Sequence, residues 1–127
     1  LNNGVEFVLN SLDQMMGGEL FVPKTPSIKI LDLVKALDEN IKHHLIGIRP
    51  GEKLHEVLCP EDSAKDTIEF KDYYLIRPAS IDFTKGKTNN YKINKKKEKG
   101  KFVKSNFIYS SNKNSHFLNI KDLKKLI

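Results

Sequence analysis

The residues best suited to chemistry lie together in Ile46-Gly47-Ile48-Arg49-Pro50-Gly51-Glu52-Lys53-Leu54-His55-Glu56. An apolar run ends there and a burst of charge follows. Pro50 has no N–H for a ladder hydrogen bond, so a strand over residues 44–48 must stop before it. Gly51 permits a tight turn through a positive backbone φ. Arg49 would then stand at the C-terminal end of a strand, where open α/β sheets take their ligands, with Glu52 three residues on. A guanidinium fork suits phosphate oxygens, and a carboxylate accepts from paired hydroxyls. A grip on phosphate and ribose is one reading of this pair; an ordinary surface turn with a solvated ion pair is the other. If residues 53–58 are helical, Glu52 and Glu56 share a face and repel weakly. Separate partners relieve that repulsion: Arg49 or Lys53 for Glu56, leaving Glu52 for a ligand hydroxyl.

Other reactive side chains carry less. His43, His44, His55 and His116 have no metal-ligand spacing and read as surface or partly packed imidazoles. Cys59, beside Pro60, reads as a small buried hydrophobe with no local base to activate it. Two Tyr-x-x-x-Lys pairs, Tyr91 with Lys95 and Tyr109 with Lys113, match a spacing at which a lysine on one helix face lowers a phenol's pKa. Tyr91 lies in a lysine- and asparagine-rich run, and Tyr109 precedes the turn-forming Ser110-Ser111-Asn112. Both are rejected as catalytic pairs. The run from Tyr109 reads either as a capping turn or as a ligand contact using a ring face and a hydroxyl.

These residues need elements to hold them. Val5, Val8, Leu9, Leu12, Met15 and Met16 have helical spacing over residues 3–16, and Gly17-Gly18 ends that helix in a left-handed cap. Residues 19–22 form a short strand stopped by Pro23. Ser27 is placed as N-cap of a second helix running to Leu37, with Ile30, Leu33, Val34 and Leu37 on one face. Residues 67–70 and 73–76 read as a hairpin, a small appendage to the preceding helix, strand, helix and strand. Residues 84–101 lack apolar periodicity and read as a mobile loop. Asn119 caps a last helix, with Asp122 at its third position and Ile120, Leu123 and Ile127 inward. The expected division is 1–78, an α/β substrate-binding portion; 79–104, the lysine-rich loop; and 105–127, a strand and helix packing back.

Composition narrows the class. A chain of 127 residues suits one domain or part of one, and it begins at Leu1 rather than Met. The absence of a long apolar run excludes a spanning helix, and one cysteine excludes an internal disulfide, which points to the cytoplasm. The net charge of +6 comes from one segment: residues 85–104 carry +8, and the rest sums to −2. That is not a generally basic, nucleic-acid-coating surface. The lysine run itself reads as a solvated loop, a polyanion contact or a membrane-surface attractor. A stand-alone module that binds polyanions through it is the alternative function.

Three stretches resemble one family. They are Gly17-Gly18-Glu19-Leu20-Phe21-Val22-Pro23-Lys24, the Ile46 to Val57 run, and Tyr109-Ser110-Ser111-Asn112. The chain is similar, over nearly its whole length, to the inverting UDP-N-acetylglucosamine 4,6-dehydratases, polysaccharide biosynthesis proteins of the extended short-chain dehydrogenase/reductase superfamily. The resemblance implies the C-terminal, substrate-binding part of an α/β enzyme. That enzyme uses bound NADP to oxidise C4, eliminate water across C5 and C6, and return hydride to C6 with inversion at C5. It implies that the NADP cradle and catalytic residues precede Leu1, that this part alone is inactive, and that the first helix and strand pack on the missing domain. By the same resemblance Arg49 holds the UDP pyrophosphate, Glu52 the ribose, and Tyr109 contacts substrate, with Lys53 and Lys24 as lesser candidates. The expected partner is UDP-N-acetylglucosamine, with no nucleic acid and no membrane insertion, in a homo-oligomer.

Overall fold

The computed structural model describes residues 2–78 and 91–127. In chain order they form α1 (Asn2–Gln14), β1 (Leu20–Pro23), α2 (Ile30–Leu37), β2 (Val57–Cys59), a 3-10 helix (Glu61–Asp66), β3 (Thr67–Glu69), β4 (Tyr73–Ile76), β5 (Lys101–Phe102), β6 (Tyr109–Ser110) and α3 (Ile120–Leu126). Two units share them. One contains Leu1–Lys24 and Cys59–Ile108, the other Thr25–Leu58 and Tyr109–Ile127. The chain therefore crosses between units three times, a different partition from the division at 78 and 104 read from composition.

The first unit is built on an antiparallel sheet of order β1-β4-β3-β5. The β3–β4 hairpin is its centre, which corrects the expectation of a small appendage. Pairing explains why: β4 has a partner on each side, and its four residues are all buried. Opposed residues share a face, so the register Phe21–Leu75–Ile68–Phe102 sets an apolar row across all four strands. Ile68, Phe70, Tyr73 and Leu75 form the core, with Phe7 of α1, Phe21 and Tyr91 packed against it. The Phe70 and Tyr73 rings stack with centroids 4.8 Å apart. Each such side chain contributes roughly 1.5–3 kcal/mol by leaving water. On the other face Lys24 lies over the Tyr74 ring and pairs with Glu69 at 2.7 Å.

Helix α1 follows its predicted bounds closely, and Gly17 and Gly18 end it with φ of 122° and 79°. Its inward residues include Phe7 and the buried Gln14, whose carbonyl accepts from the Tyr73 hydroxyl at 3.4 Å. Val5, Val8, Leu9, Leu12 and Met15, which define its apolar period, are exposed.

Residues 91–101, expected within a mobile loop, form a pinned turn; residues 79–90 of that segment lie outside the described residues. An Ile93–Lys99 bridge closes the turn. Asn94 and Glu98 exchange backbone and side-chain hydrogen bonds, and the Glu98 carboxylate accepts the Lys71 amide at 2.8 Å. Lys95 and Lys96 donate to α1, at the Asp13 carbonyl and the Asn10 side chain. Polar composition hid this order because, apart from Tyr91 and Gly100 against the sheet core, its ties are hydrogen bonds.

In the second unit α2 packs against α3. Ala36 of α2 is buried and Leu33 and Val34 are half-buried, but Ile30 and Leu37 are exposed. Ser27 is not the N-cap: α2 starts at Ile30, and Ser27 instead bridges Phe117 in parallel. The cap of α3 is as read from sequence. The Asn119 side chain accepts the Lys121 and Asp122 amides, and Asp122 accepts the Asn119 amide. Leu123 is buried, while Ile127 is exposed. Lys124, hydrogen-bonded to Glu39 at 2.7 Å, holds that carboxyl below its ordinary pKa.

Two expected elements are absent from this unit. Residues 44–48 form no strand: Gly47 has φ 80°, outside the β region, and the residues around it have no ladder partner. Residues 53–58 form no helix, because Glu56 is drawn into extended pairing with Ser111. Its carbonyl accepts the Ser111 amide at 2.8 Å, and its amide donates to the Ser111 hydroxyl at 3.1 Å.

Candidate functional site

Arg49-Pro50-Gly51-Glu52 is a β-turn. The Glu52 amide donates to the Arg49 carbonyl at 3.0 Å, and Gly51 has φ 85°. Proline second and a positive-φ glycine third is the type II pattern, so this part of the sequence reading holds at the level of single residues. The Glu52 carboxylate closes the turn further, accepting the Arg49 amide at 2.9 Å and lying 3.8 Å from Arg49 Nε. Glu52, not Glu56, is therefore the partner of Arg49. With 53–58 extended, the shared helix face for Glu52 and Glu56 does not exist. The Arg49 side chain is 71% exposed, so the ion pair is screened and adds little stability. Its guanidinium remains open to an anion. Lys53 is exposed beside it. Lys24 lies in the other unit, committed to Glu69 and Tyr74.

Tyr109 is placed differently. It is only 7% exposed, and its hydroxyl accepts the Thr25 amide at 2.9 Å and donates to the Thr25 carbonyl at 2.8 Å. Asn114 donates to the same carbonyl at 2.7 Å and to the Ser27 hydroxyl at 3.1 Å. Around them lies a cavity of about 230 Å³, lined by residues that include Thr25, Pro26, Ser27, Leu58, Tyr109 and Ser111. Arg49 is not part of that lining. The structure thus brings Tyr109 to a cavity wall, and leaves Arg49, Glu52 and Lys53 on an exposed turn of the same unit. Thr25 and Asn114 were not singled out in the sequence and Ser27 only as a helix cap, because nothing local marks partners 84 to 89 residues apart.

The remaining candidates have structural surroundings. Tyr91 packs on the sheet core, and Lys95 is bound to α1. Cys59 is fully buried, and burial pushes its thiol up to about 11. Among the described residues no group of His, Cys, Asp and Glu could hold a metal ion. None of the described helices is long and apolar enough to cross a membrane. A dinucleotide pyrophosphate wants a glycine-rich turn opening a helix. The starts of α2 and α3 are not of that kind. Helix α2 follows Pro26-Ser27-Ile28-Lys29, and the start of α3 is filled by its own Asp122.

One unit thus carries mixed helix and antiparallel sheet, and the other the arginine–glutamate turn and the tyrosine-walled cavity. Residues 1–78 match the family model described as polysaccharide biosynthesis protein, and the chain belongs to that family. It is 48% identical over all 127 residues to a UDP-N-acetylglucosamine 4,6-dehydratase (inverting) of Campylobacter jejuni serotype O:2. A second such dehydratase, from C. jejuni serotype O:23/36, is 45% identical over the same length. The X-ray structure of Pen from Bacillus thuringiensis superimposes with a TM-score of 0.75 at 27% identity, over 99% of this chain. The chain spans 37% of the length of each dehydratase and 36% of Pen.

Proposed function

We propose that this chain supplies the sugar-nucleotide-binding part of a UDP-N-acetylglucosamine 4,6-dehydratase (inverting), a lyase of nucleotide-sugar biosynthesis. The observation that carries the reading is 48% identity, without a break in coverage, to the C. jejuni dehydratase. In this reading the type II turn offers the Arg49 guanidinium to the UDP pyrophosphate. Lys53 adds positive charge beside it, and Glu52 meets the ribose hydroxyls. Arg49 is exposed, so its guanidinium is accessible to a group that arrives from outside the unit. Tyr109 contributes a wall of the pocket. In this reading NADP is the cofactor of the whole enzyme and is held by residues other than those described here; the starts of α2 and α3 are not glycine-rich turns. The chain alone is then inactive, and the assembled enzyme is a cytoplasmic oligomer. A polyanion-binding module draws no support from relatives named as dehydratases, and Lys95 and Lys96 are engaged with α1.

The test is a chimera in which these 127 residues replace the matching third of the C. jejuni O:2 dehydratase. The expected result is conversion of UDP-N-acetylglucosamine to the 4,6-dehydrated product. A chimera that folds and binds NADP but neither binds nor converts the sugar nucleotide would overturn the assignment.

A further inference from the structure

Resting on that reading of the site, we infer that Tyr109 and Asn114 are positioning residues: they act on the sugar nucleotide through the backbone of Thr25 and the hydroxyl of Ser27. A phenol has one proton to donate, and that of Tyr109 goes to the Thr25 carbonyl at 2.8 Å. The same oxygen accepts the Thr25 amide at 2.9 Å, so both backbone groups of one residue are satisfied by one side chain. The Tyr109 hydroxyl is thus spent on the protein, and only its ring is offered to the cavity.

Asn114 completes the latch. One amide nitrogen bonds the Thr25 carbonyl at 2.7 Å and the Ser27 hydroxyl at 3.1 Å. Its own oxygen is fixed by the His116 amide at 3.0 Å. Ser27 is strapped on both sides as well, donating its amide to the His116 carbonyl at 2.8 Å and accepting the Leu118 amide at 2.9 Å. Within the stretch from Thr25 to Ile28 that lines the cavity, Thr25 and Ser27 are thus held by residues 109–118, outside helix α2. The Ser27 hydroxyl, fixed as an acceptor toward Asn114, retains a proton to donate to a ligand oxygen. A wall pre-set in this way lowers the ordering cost of binding.

Tyr109→Phe removes both hydroxyl bonds and keeps the ring; Asn114→Ala removes the second support. Amide exchange of Thr25 is read by NMR in the 127-residue chain, and KM and kcat in the chimera. Each variant should speed Thr25 exchange and raise KM for UDP-N-acetylglucosamine about tenfold with kcat little changed, the pattern of lost uniform binding. The double variant should be no worse than the more severe single, because both act through one segment. A raised KM with unchanged Thr25 exchange would mean direct contact by Tyr109 and overturn the inference. Faster exchange with unchanged KM would reduce the latch to a structural role and overturn it too. Absence of sugar-nucleotide affinity in the unmutated chimera would instead refute the reading of the site, whatever Thr25 exchange shows.

Discussion

Substituting Gly100 by alanine tests how the lysine-rich turn is seated on the sheet. Gly100 is buried, and its amide donates to the Lys92 carbonyl at 2.8 Å. A Cβ there would stand 2.5 Å from Cγ2 of Ile68 and 2.8 Å from Cζ of Phe70. Carbon atoms rest at about 3.5–4.0 Å, so the overlap is on the order of 1 Å. Neither neighbour can withdraw easily: Ile68 is fully buried, and the Phe70 ring is stacked on Tyr73. Overpacking of this kind costs typically ~1–3 kcal/mol. Against it, alanine restricts the unfolded chain and returns ~0.4–1 kcal/mol. The net expectation is a loss of about 1–2 kcal/mol. Gly4, in α1 with nothing within 4 Å of its Cβ position, is the control. Gly4→Ala should instead be neutral or stabilise by up to ~1 kcal/mol. Urea unfolding of the 127-residue chain by circular dichroism measures both, with amide exchange at Ile68 and Leu75 as a second readout. Equal midpoint shifts for the two variants, or a Gly100→Ala more stable than Gly4→Ala, would refute the account of Gly100 as a residue chosen for closeness.

Two further outcomes follow from local geometry. Cys59 has its pKa raised by burial from 9.0 to about 11, so the folded state holds its proton longer than the unfolded state. Stability should be level below pH 9 and then fall as pH rises toward 11, at up to about 1.4 kcal/mol per pH unit. Burial raises the Tyr73 pKa in the same direction, so Cys59→Ala should flatten the decline without abolishing it; an unchanged slope would contradict the assignment. Asn119→Ala removes the capping box of α3 and should cost about 1 kcal/mol, read as lost protection of the Lys121 and Asp122 amides.

What could be read from the sequence was what local chemistry decides. Gly17 and Gly18 end a helix because only glycine takes those dihedrals cheaply, and Asn119 with Asp122 is a cap written in four residues. Pro50-Gly51 fixed a turn for the same reason. Misreadings arose where a distant partner decides. Residues 44–48 look apolar enough for a strand, yet a strand exists only when another pairs with it, and Gly47 turns away from that geometry. Residues 53–58 look helical until Ser111, 55 positions on, claims Glu56. The hairpin was found, but its central rank depended on β1 and β5, which are remote in sequence. Of the candidate residues, Arg49 and Glu52 stood out by type and spacing, and Tyr109 chiefly through the family resemblance. The use of the Tyr109 hydroxyl to hold Thr25 was not, because it joins positions 84 apart.

The central claim is that this chain contributes the sugar-nucleotide grip of its family's enzyme, with Arg49 on the pyrophosphate. Calorimetric titration of UDP-N-acetylglucosamine into the chimera, with Arg49 intact and as Arg49→Ala, tests it most directly. A charge-assisted contact of ~1.5–3 kcal/mol predicts an affinity loss of roughly ten- to a hundredfold, with folding and NADP binding unchanged. Identical affinity in the two proteins would contradict the claim and leave Arg49 as one half of a solvated surface turn.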